Sequence, residues 1–177
     1  TNSSNTIIDT LSNVAGVTIT EGSLSNASVI PVSLVAGASG NNVVSFTTAN
    51  DLPVDSKVAI TFPTGFDLNN VSNVTSPNID GTLTTSVAGQ VVTITRSGGS
   101  ITNAGALSII VENVKNQGFS GATGTFTIST TNSNNATIDT LSGIAGVTIT
   151  EGSLSNVSVT PVSLVAGASG NNVVSFT

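Results

Sequence analysis

Residues 41–62, NNVVSFTTANDLPVDSKVAITF, hold two short segments in which apolar and polar side chains alternate. Val44 and Phe46 share one face of the first segment, and Val58 and Ile60 share one face of the second. Successive side chains of a β-strand point to opposite faces, so this period of two is typical of strands buried on one side. The Asn, Asp and Pro residues between the two segments favour a turn or loop. The stretch therefore predicts two half-buried strands.

The same alternation recurs along most of the chain, as in VVTITR (91–96), ALSIIVENV (106–114) and GTFTIST (124–130). Gly-, Asn- and Pro-rich connections separate the segments, and VAGQ (87–90) predicts a tight hairpin. No segment has a convincing helical period. About eight short strands in a domain of this size predict an all-β fold, an antiparallel immunoglobulin-like β-sandwich.

The predicted core follows from the apolar phase of each strand. Pro31 and its repeat copy Pro161 fall in the first strand, which places that strand at a sheet edge, because proline cannot donate to a ladder. The residues predicted to face the core are Val44, Phe46, Val58, Ile60, Phe62, Leu83, Val92, Ile94, Leu107, Ile109, Val111, Phe126, Ile128, Val147 and Ile149.

A long internal repeat sets the organisation of the chain. Residues 1–47 align without a gap with residues 131–177, at an offset of 130, and only seven positions differ. A period of this length is the size of a domain, well above the 20–50 residues of solenoid repeats. We therefore expect the chain to be a window on a tandem array of domains, each with its own core.

The boundary between repeats is predicted in EGSLSN, a polar, turn-forming segment that follows the strand GVTIT in both copies. The junction residues are Glu21, Gly22, Ser23 and Leu24 in the first copy and Glu151, Gly152, Ser153 and Leu154 in the second. The predicted domains are 1–24 (the C-terminal strands of a preceding repeat), 25–152 (a complete β-sandwich) and 153–177 (the N-terminal strands of the following repeat).

Composition excludes several classes of function. Charged residues make up 7% of the chain, with three Lys or Arg and no His or Cys. Nucleic-acid binding needs clustered basic residues, and zinc, copper or haem sites favour His or Cys ligands. Ser and Thr nucleophiles usually need a His base. We therefore expect no enzyme activity, no nucleic-acid partner and no cofactor, and no apolar run approaches the ~20 residues of a membrane span.

Two kinds of site remain possible in the sequence. Asp51, Asp55, Asp67 and Asp80 are candidates for a structural calcium site, since Ca²⁺ favours several carboxylate and carbonyl oxygens, although loop carboxylates usually cap turns. Asn-x-Ser/Thr sequons are candidates for glycosylation. Their number matches the six expected by chance from 20 Asn and 53 Ser or Thr among 177 residues, so the count itself is uninformative. The sequon asparagines are Asn2, Asn26, Asn70, Asn73, Asn135 and Asn156.

The segments TANDLPVDSKVAITFP and VAGQVVTITRSGG resemble the tandem immunoglobulin-like repeats of giant prokaryotic cell-surface and extracellular proteins. The resemblance covers about residues 41–140. It implies a stalk, sheath or fibre outside the cell, and it carries no binding residues over to this chain.

The sequence thus predicts a structural building unit of an extracellular fibre, filament or sheath, made of tandem β-sandwich domains joined by strand pairing or exchange. Its expected partners are copies of itself, in adjacent repeats or subunits, and its expected location is extracellular or at the cell surface. The alternative is the stalk of a cell-surface adhesin, or an ice- or surface-binding protein. The threonine pairs that would favour such binding are Thr18/Thr20, Thr93/Thr95, Thr125/Thr127 and Thr148/Thr150.

Overall fold

The computed structural model describes residues 2–10 and 13–177. All regular secondary structure in this part of the chain is β-strand, as predicted. None of its segments is a helix long and apolar enough to cross a membrane. The strands are β1 (Gly22–Ser23), β2 (Ser25–Pro31), β3 (Ser39–Thr47), β4 (Lys57–Thr61), β5 (Val74–Thr75), β6 (Thr82–Ala88), β7 (Val91–Ser97), β8 (Ala106–Lys115), β9 (Gly121–Ala122), β10 (Phe126–Thr131), β11 (Thr137–Ile144), β12 (Thr148–Ile149), β13 (Ser158–Pro161) and β14 (Asn172–Ser175).

Two sheets form an immunoglobulin-like β-sandwich, which confirms the predicted fold class. One sheet has the order β2-β3-β8-β5, and the other has the order β1-β11-β10-β4-β7-β6. Pairing within these sheets is antiparallel except between β1 and β11, which are parallel. β2 is an edge strand, in agreement with its proline. β6 and β7 form the predicted hairpin, with Ala88 opposite Val91.

The predicted core is also confirmed. All of its residues are buried except Leu83 and Val147, which pack half-buried against the others. Phe66, in the loop between β4 and β5, is buried as well, with its ring centroid 5.6 Å from that of Phe62. The further buried apolar residues, which the period of two did not identify, are Leu24, Val29, Leu52, Leu68, Val71, Val74, Ile79, Val114 and Ile144.

The sandwich has two ends, which we call the proximal and distal poles. The proximal pole contains the loops 48–56, 98–105 and 132–136, and the amide of Thr48 donates to the carbonyl of Gly105 there (3.0 Å). The distal pole contains the loops 32–38, 116–124 and 145–152, and the amide of Ala36 donates to the carbonyl of Thr150 (2.8 Å). β3 connects the two poles.

The chain enters the sandwich at the proximal pole and leaves it at the distal pole. Gly22 of β1 pairs with Asp139 of β11, beside the loop that follows β3. Thr150 forms a parallel bridge with Val35 in the loop between β2 and β3, at the other end. Gly22–Leu24 therefore lie in the central sandwich, just before its predicted start at residue 25.

Residues 153–177, the copy of residues 23–47, lie outside the core. β13 and β14 keep the register of β2 and β3, since Val159 lies opposite Val174 as Val29 lies opposite Val44. Burial differs between the two copies: Phe46 is 1% exposed, and its copy Phe176 is 61% exposed. Strands of nearly identical sequence therefore occupy two different environments in one chain.

This difference predicts unequal effects of one substitution at two sites. Phe46→Ala should lower the free energy of unfolding of the sandwich by about 3–5 kcal/mol, the usual effect of removing a buried phenylalanine. Phe176→Ala should change it little, because that ring is exposed. Urea denaturation followed by circular dichroism measures both variants. Equal destabilisation by the two substitutions would contradict the assignment of the core.

Candidate inter-repeat junction

The two copies of the predicted junction differ in their contacts. In the first copy, Leu24 is buried and its amide donates to the carbonyl of Thr140 (3.1 Å). In the second copy, Gly152 and Leu154 are exposed. A Cβ atom on Gly152 would lie at ordinary van der Waals distance, 3.6 Å, from Cγ1 of Val35 at the distal pole. The first copy thus shows how the chain enters a sandwich, and the second shows how it leaves one.

A buried carboxylate lies beneath the point where the chain enters. Asp139 is fully buried on β11, and Asn50 donates to it through its side-chain amide (2.7 Å to Oδ1) and its backbone amide (3.1 Å to Oδ2). Gly22 passes directly over this pair. A Cβ atom at Gly22 would overlap both Oδ1 of Asp139 and Nδ2 of Asn50. Only glycine therefore allows β1 to lie this close to β11.

A buried arginine organises the loops of the proximal pole. The side chain of Arg96, at the end of β7, is buried, and its Nε donates to the carbonyl of Asp80 (2.9 Å). Its Nη1 donates to the carbonyl of Pro53 (3.2 Å). Its Nη2 donates to the carbonyl of Ser100 and forms an ion pair with the carboxylate of Asp80. One guanidinium thus connects the loops 48–56 and 98–105 with the segment before β6 that contains Asp80.

The carboxylate of Asp80 also accepts hydrogen bonds from a loop amide. The amide of Ser100 donates to both oxygens, at 3.1 Å and 3.0 Å. This hydrogen bond, together with the hydrogen bond and charge of Arg96, holds the pKa of Asp80 below its ordinary value against the opposing effect of desolvation. Asp80 is therefore ionised in the folded protein at neutral pH.

The four calcium candidates lie in three different loops, with Asp51 and Asp55 together in the loop between β3 and β4. Asp51 accepts a hydrogen bond from the amide of Ala104 (2.7 Å), and Asp67 accepts one from the amide of Asn69 (3.0 Å). Asp55 is exposed in the loop before β4, and Asp80 pairs with Arg96. Across residues 2–10 and 13–177, no three acidic side chains come together in a group that could hold a metal ion. The contacts of Asp51, Asp67 and Asp80 are those of carboxylates that cap loops.

The distal pole presents apolar side chains around the point where the chain leaves. The side-chain amide of Asn116 donates to the carbonyls of Ser33 (2.8 Å) and Val35 (3.0 Å), and the amide of Thr150 donates to the carbonyl of Leu34 (2.7 Å). These hydrogen bonds hold the loop between β2 and β3 against the end of β8 and the departing chain. We call the exposed apolar residues of this pole the distal surface: Val32, Leu34, Val35 and Phe119.

The outer face of the six-stranded sheet is rich in hydroxyl groups. Thr93 and Thr95 of β7 both point outward, and Thr95 lies opposite Thr84 of β6. On the neighbouring strands, Thr127 lies opposite Thr61. The threonine pair of β7 thus joins a cross-strand hydroxyl array, which we call the hydroxyl face. The Thr148/Thr150 pair lies apart from it, at the distal pole.

The sequon asparagines are all on the surface, and their glycosylation remains a prediction. Asn26, near the start of β2, has a positive φ of 48°, a conformation that asparagine tolerates better than most residues. Asn135 accepts a hydrogen bond from Nζ of Lys57 (2.7 Å). The exposed sequon asparagines are Asn2, Asn26, Asn70, Asn73, Asn135 and Asn156.

No known protein family and no curated protein matches the chain. Among solved structures, the chain is similar to the bacterial hydrophobin BslA, with a TM-score of 0.43 and 15% identity over 73% of this chain and 98% of that one. It is also similar to BcpA, the major pilin subunit of Bacillus cereus (0.43 and 12%, over 88% and 52%). A non-cellulosomal cohesin of the archaeon Archaeoglobus fulgidus is a further neighbour (0.37 and 13%, over 67% and 91%).

The two junction glycines give a matched test of how the chain enters the sandwich. Gly22→Ala should lower the melting temperature markedly, because the new methyl group overlaps buried polar atoms of Asp139 and Asn50. Gly152→Ala should leave it nearly unchanged, since its methyl group meets only Val35 at an ordinary distance. Differential scanning calorimetry of both variants measures the effect. A harmless Gly22→Ala would contradict the close approach of β1 to β11.

The carboxylate of Asp80 predicts a specific pH dependence. Because its pKa is lowered on folding, its contribution to stability is present above the unfolded pKa of about 3.9 and disappears as the pH falls through the lower folded pKa. Asp80→Asn should therefore be less stable than the wild type at neutral pH. The difference should shrink as the pH falls below about 4. Urea denaturation across this range measures it, and a constant difference would contradict the role of the charge.

Proposed function

We propose that this chain is a structural unit of an extracellular fibre, filament or sheath, built from tandem β-sandwich domains. One observation carries the proposal. The chain enters the sandwich at one pole and leaves it at the opposite pole, and it then continues directly into a second copy of the sequence that formed the first strands. Repetition of this path places successive sandwiches one after another along a line.

The surface chemistry fits such a role. Only 7% of the residues are charged, and the strands present Ser, Thr and Asn to solvent in place of Lys and Glu. Neighbouring domains or filaments can approach such a surface without desolvating many charges, which is one of the larger costs of association. The partners of the chain would then be copies of itself, in the next repeat or in a neighbouring subunit.

The hydroxyl face favours a second candidate function, in which the repeats form the stalk of an adhesin or bind an ice or carbohydrate surface. Residues i and i+2 of a strand are about 6.7 Å apart, and neighbouring strands are about 4.8 Å apart, so Thr93 and Thr95 of β7 form a regular grid of hydroxyl groups with Ser86 and Thr84 opposite them on β6. A face of this kind could equally pack against a neighbouring filament. The linear path of the chain favours the structural unit.

The tandem proposal predicts how size depends on the number of repeats. In proteins with one, two and four complete repeats at the natural period, the maximum dimension in small-angle X-ray scattering should grow linearly, by roughly 40 Å per repeat, given ~3.3 Å for each residue of β3 and a loop at either pole. Sandwiches folded back side by side would give little growth and would contradict the proposal.

Electron microscopy of the native material separates the two candidates. Filaments or sheets with an axial period near one sandwich support the structural unit. Single flexible tethers that attach to a surface support the adhesin stalk.

A further inference from the structure

We propose that the distal surface of each repeat docks on the proximal pole of the next repeat, so that consecutive sandwiches form one rigid rod. The inference rests on the proposed tandem function and specifies the interface between consecutive repeats. The partner of each distal surface is the following copy of the same sequence. It requires that the linker be too short to separate the two poles, and that both poles present surfaces suited to contact.

The linker is a single residue. Thr150 is held in the first sandwich, since its amide donates to the carbonyl of Leu34 (2.7 Å) and its carbonyl accepts from the amide of Ala36 (2.8 Å). Gly152 is the copy of Gly22, which is already paired with β11 at the proximal pole. Only Glu151 lies between them. Two steps of ~3.8 Å between consecutive Cα atoms separate the last anchored residue of one repeat from the first of the next.

This distance leaves no room for a layer of solvent between the poles. Side chains extend several ångströms beyond the backbone on both sides, so surfaces whose backbones approach within ~8 Å at the linker must contact one another around it. Gly152 already lies beside the distal pole, because a Cβ atom there would be 3.6 Å from Cγ1 of Val35.

The distal surface has the apolar composition expected of a domain interface. Val32 is 73% exposed and Phe119 is 64% exposed, and the exposed residues Leu34 and Val35 lie beside Thr150 of the departing chain. Asn116 and Thr150 fix the backbone of the loop that carries the three aliphatic residues. An apolar group on an ordered loop, next to the point where the next domain must start, gains hydrophobic stabilisation when that domain covers it.

The proximal pole provides a firm, partly apolar counterpart. Ile101 is 62% exposed there, and Val54 is also exposed. The loops that carry these two residues are tied together by Arg96, which donates to the carbonyls of Pro53 and Ser100. Little conformational entropy is therefore lost when this pole is covered.

A small contact is sufficient in this geometry. The covalent linker holds the two poles at a high effective concentration, so the interface needs none of the affinity that two separate proteins would require. A rod with rigid joints follows, in place of a string of independently tumbling domains.

A two-sandwich protein tests the inference. The present chain is extended after Thr177 by a second copy of residues 48–150, which completes a second sandwich. Nuclear magnetic relaxation of backbone amides then gives the rotational correlation time of each sandwich. With a rigid joint, both sandwiches should tumble as one elongated body, so their correlation times should be about twofold or more above that of the single-sandwich chain. Independent motion is the default for weakly joined domains, and it would leave the two correlation times closer to that of the single-sandwich chain.

The repeat provides a matched control for the interface variant. Val35→Ser with Phe119→Ser in the first sandwich should free the joint and return both correlation times toward that of the single-sandwich chain. The same two substitutions at the equivalent positions of the second sandwich, whose distal pole faces solvent, should have no effect on the joint. A short Gly/Ser insertion after Glu151 should also free it.

The outcomes distinguish this inference from the function on which it rests. If the second sandwich folds but tumbles independently in the unmodified protein, the rigid joint is overturned, and the tandem fibre remains as a chain of flexible domains. If the second sandwich does not fold, as seen from poor dispersion of its amide signals, both the joint and the tandem proposal are overturned. Equal loosening by the two variant positions also overturns the docking of the distal surface.

Discussion

The organisation of this protein depends on the direction in which the chain crosses its sandwich. β11 runs from the proximal pole to the distal pole, and β1 pairs with it in parallel, so β1 runs the same way. β2 continues in that direction. The strands that end a repeat and those that begin one therefore both lead from the proximal pole toward the distal pole. One residue, Glu151, joins Thr150 at the distal pole to Gly152, the copy of the residue that begins β1.

Scarcity of charge makes the buried polar groups unusually important. Arg96 makes its ion pair with Asp80 at the proximal pole and uses its remaining donors for loop carbonyls. The carboxylate of Asp139 is paired with the amide groups of Asn50 in place of a cation. Breaking either arrangement would leave buried donors or acceptors unsatisfied, which costs more than the intact hydrogen bonds contribute. The loops of the proximal pole therefore obtain their order from a few saturated polar groups.

Much of the sandwich could be predicted because its strands have one buried face. The period of two identified Val44, Phe46 and the other central core residues correctly. It could not identify Leu52 or Phe66, whose burial in loops depends on the folded path of the chain and has no period. Arg96 follows Val92 and Ile94 in the inward phase of β7, but an arginine in that phase is ordinarily taken to end the strand. The hydrogen-bond partners of the calcium candidates, such as the amide of Ala104 at Asp51, could not be predicted in sequence, because they depend on the folded path of the loops.

The repeated segments show which part of the structure is encoded locally. β13 and β14 adopt the register of β2 and β3 without the rest of a sandwich around them, so hairpin pairing depends on residues within the segment. Burial, in contrast, does not depend on the segment alone, since Leu24 is 2% exposed and its copy Leu154 is 68% exposed. No pattern in a segment of identical sequence can predict this difference, because the residues that cover Leu24 lie farther along the chain. A hairpin with an uncovered apolar face is only marginally stable alone. The repeated hairpin therefore keeps the pairing of β2 and β3 but lacks the burial that stabilises those two strands in the sandwich.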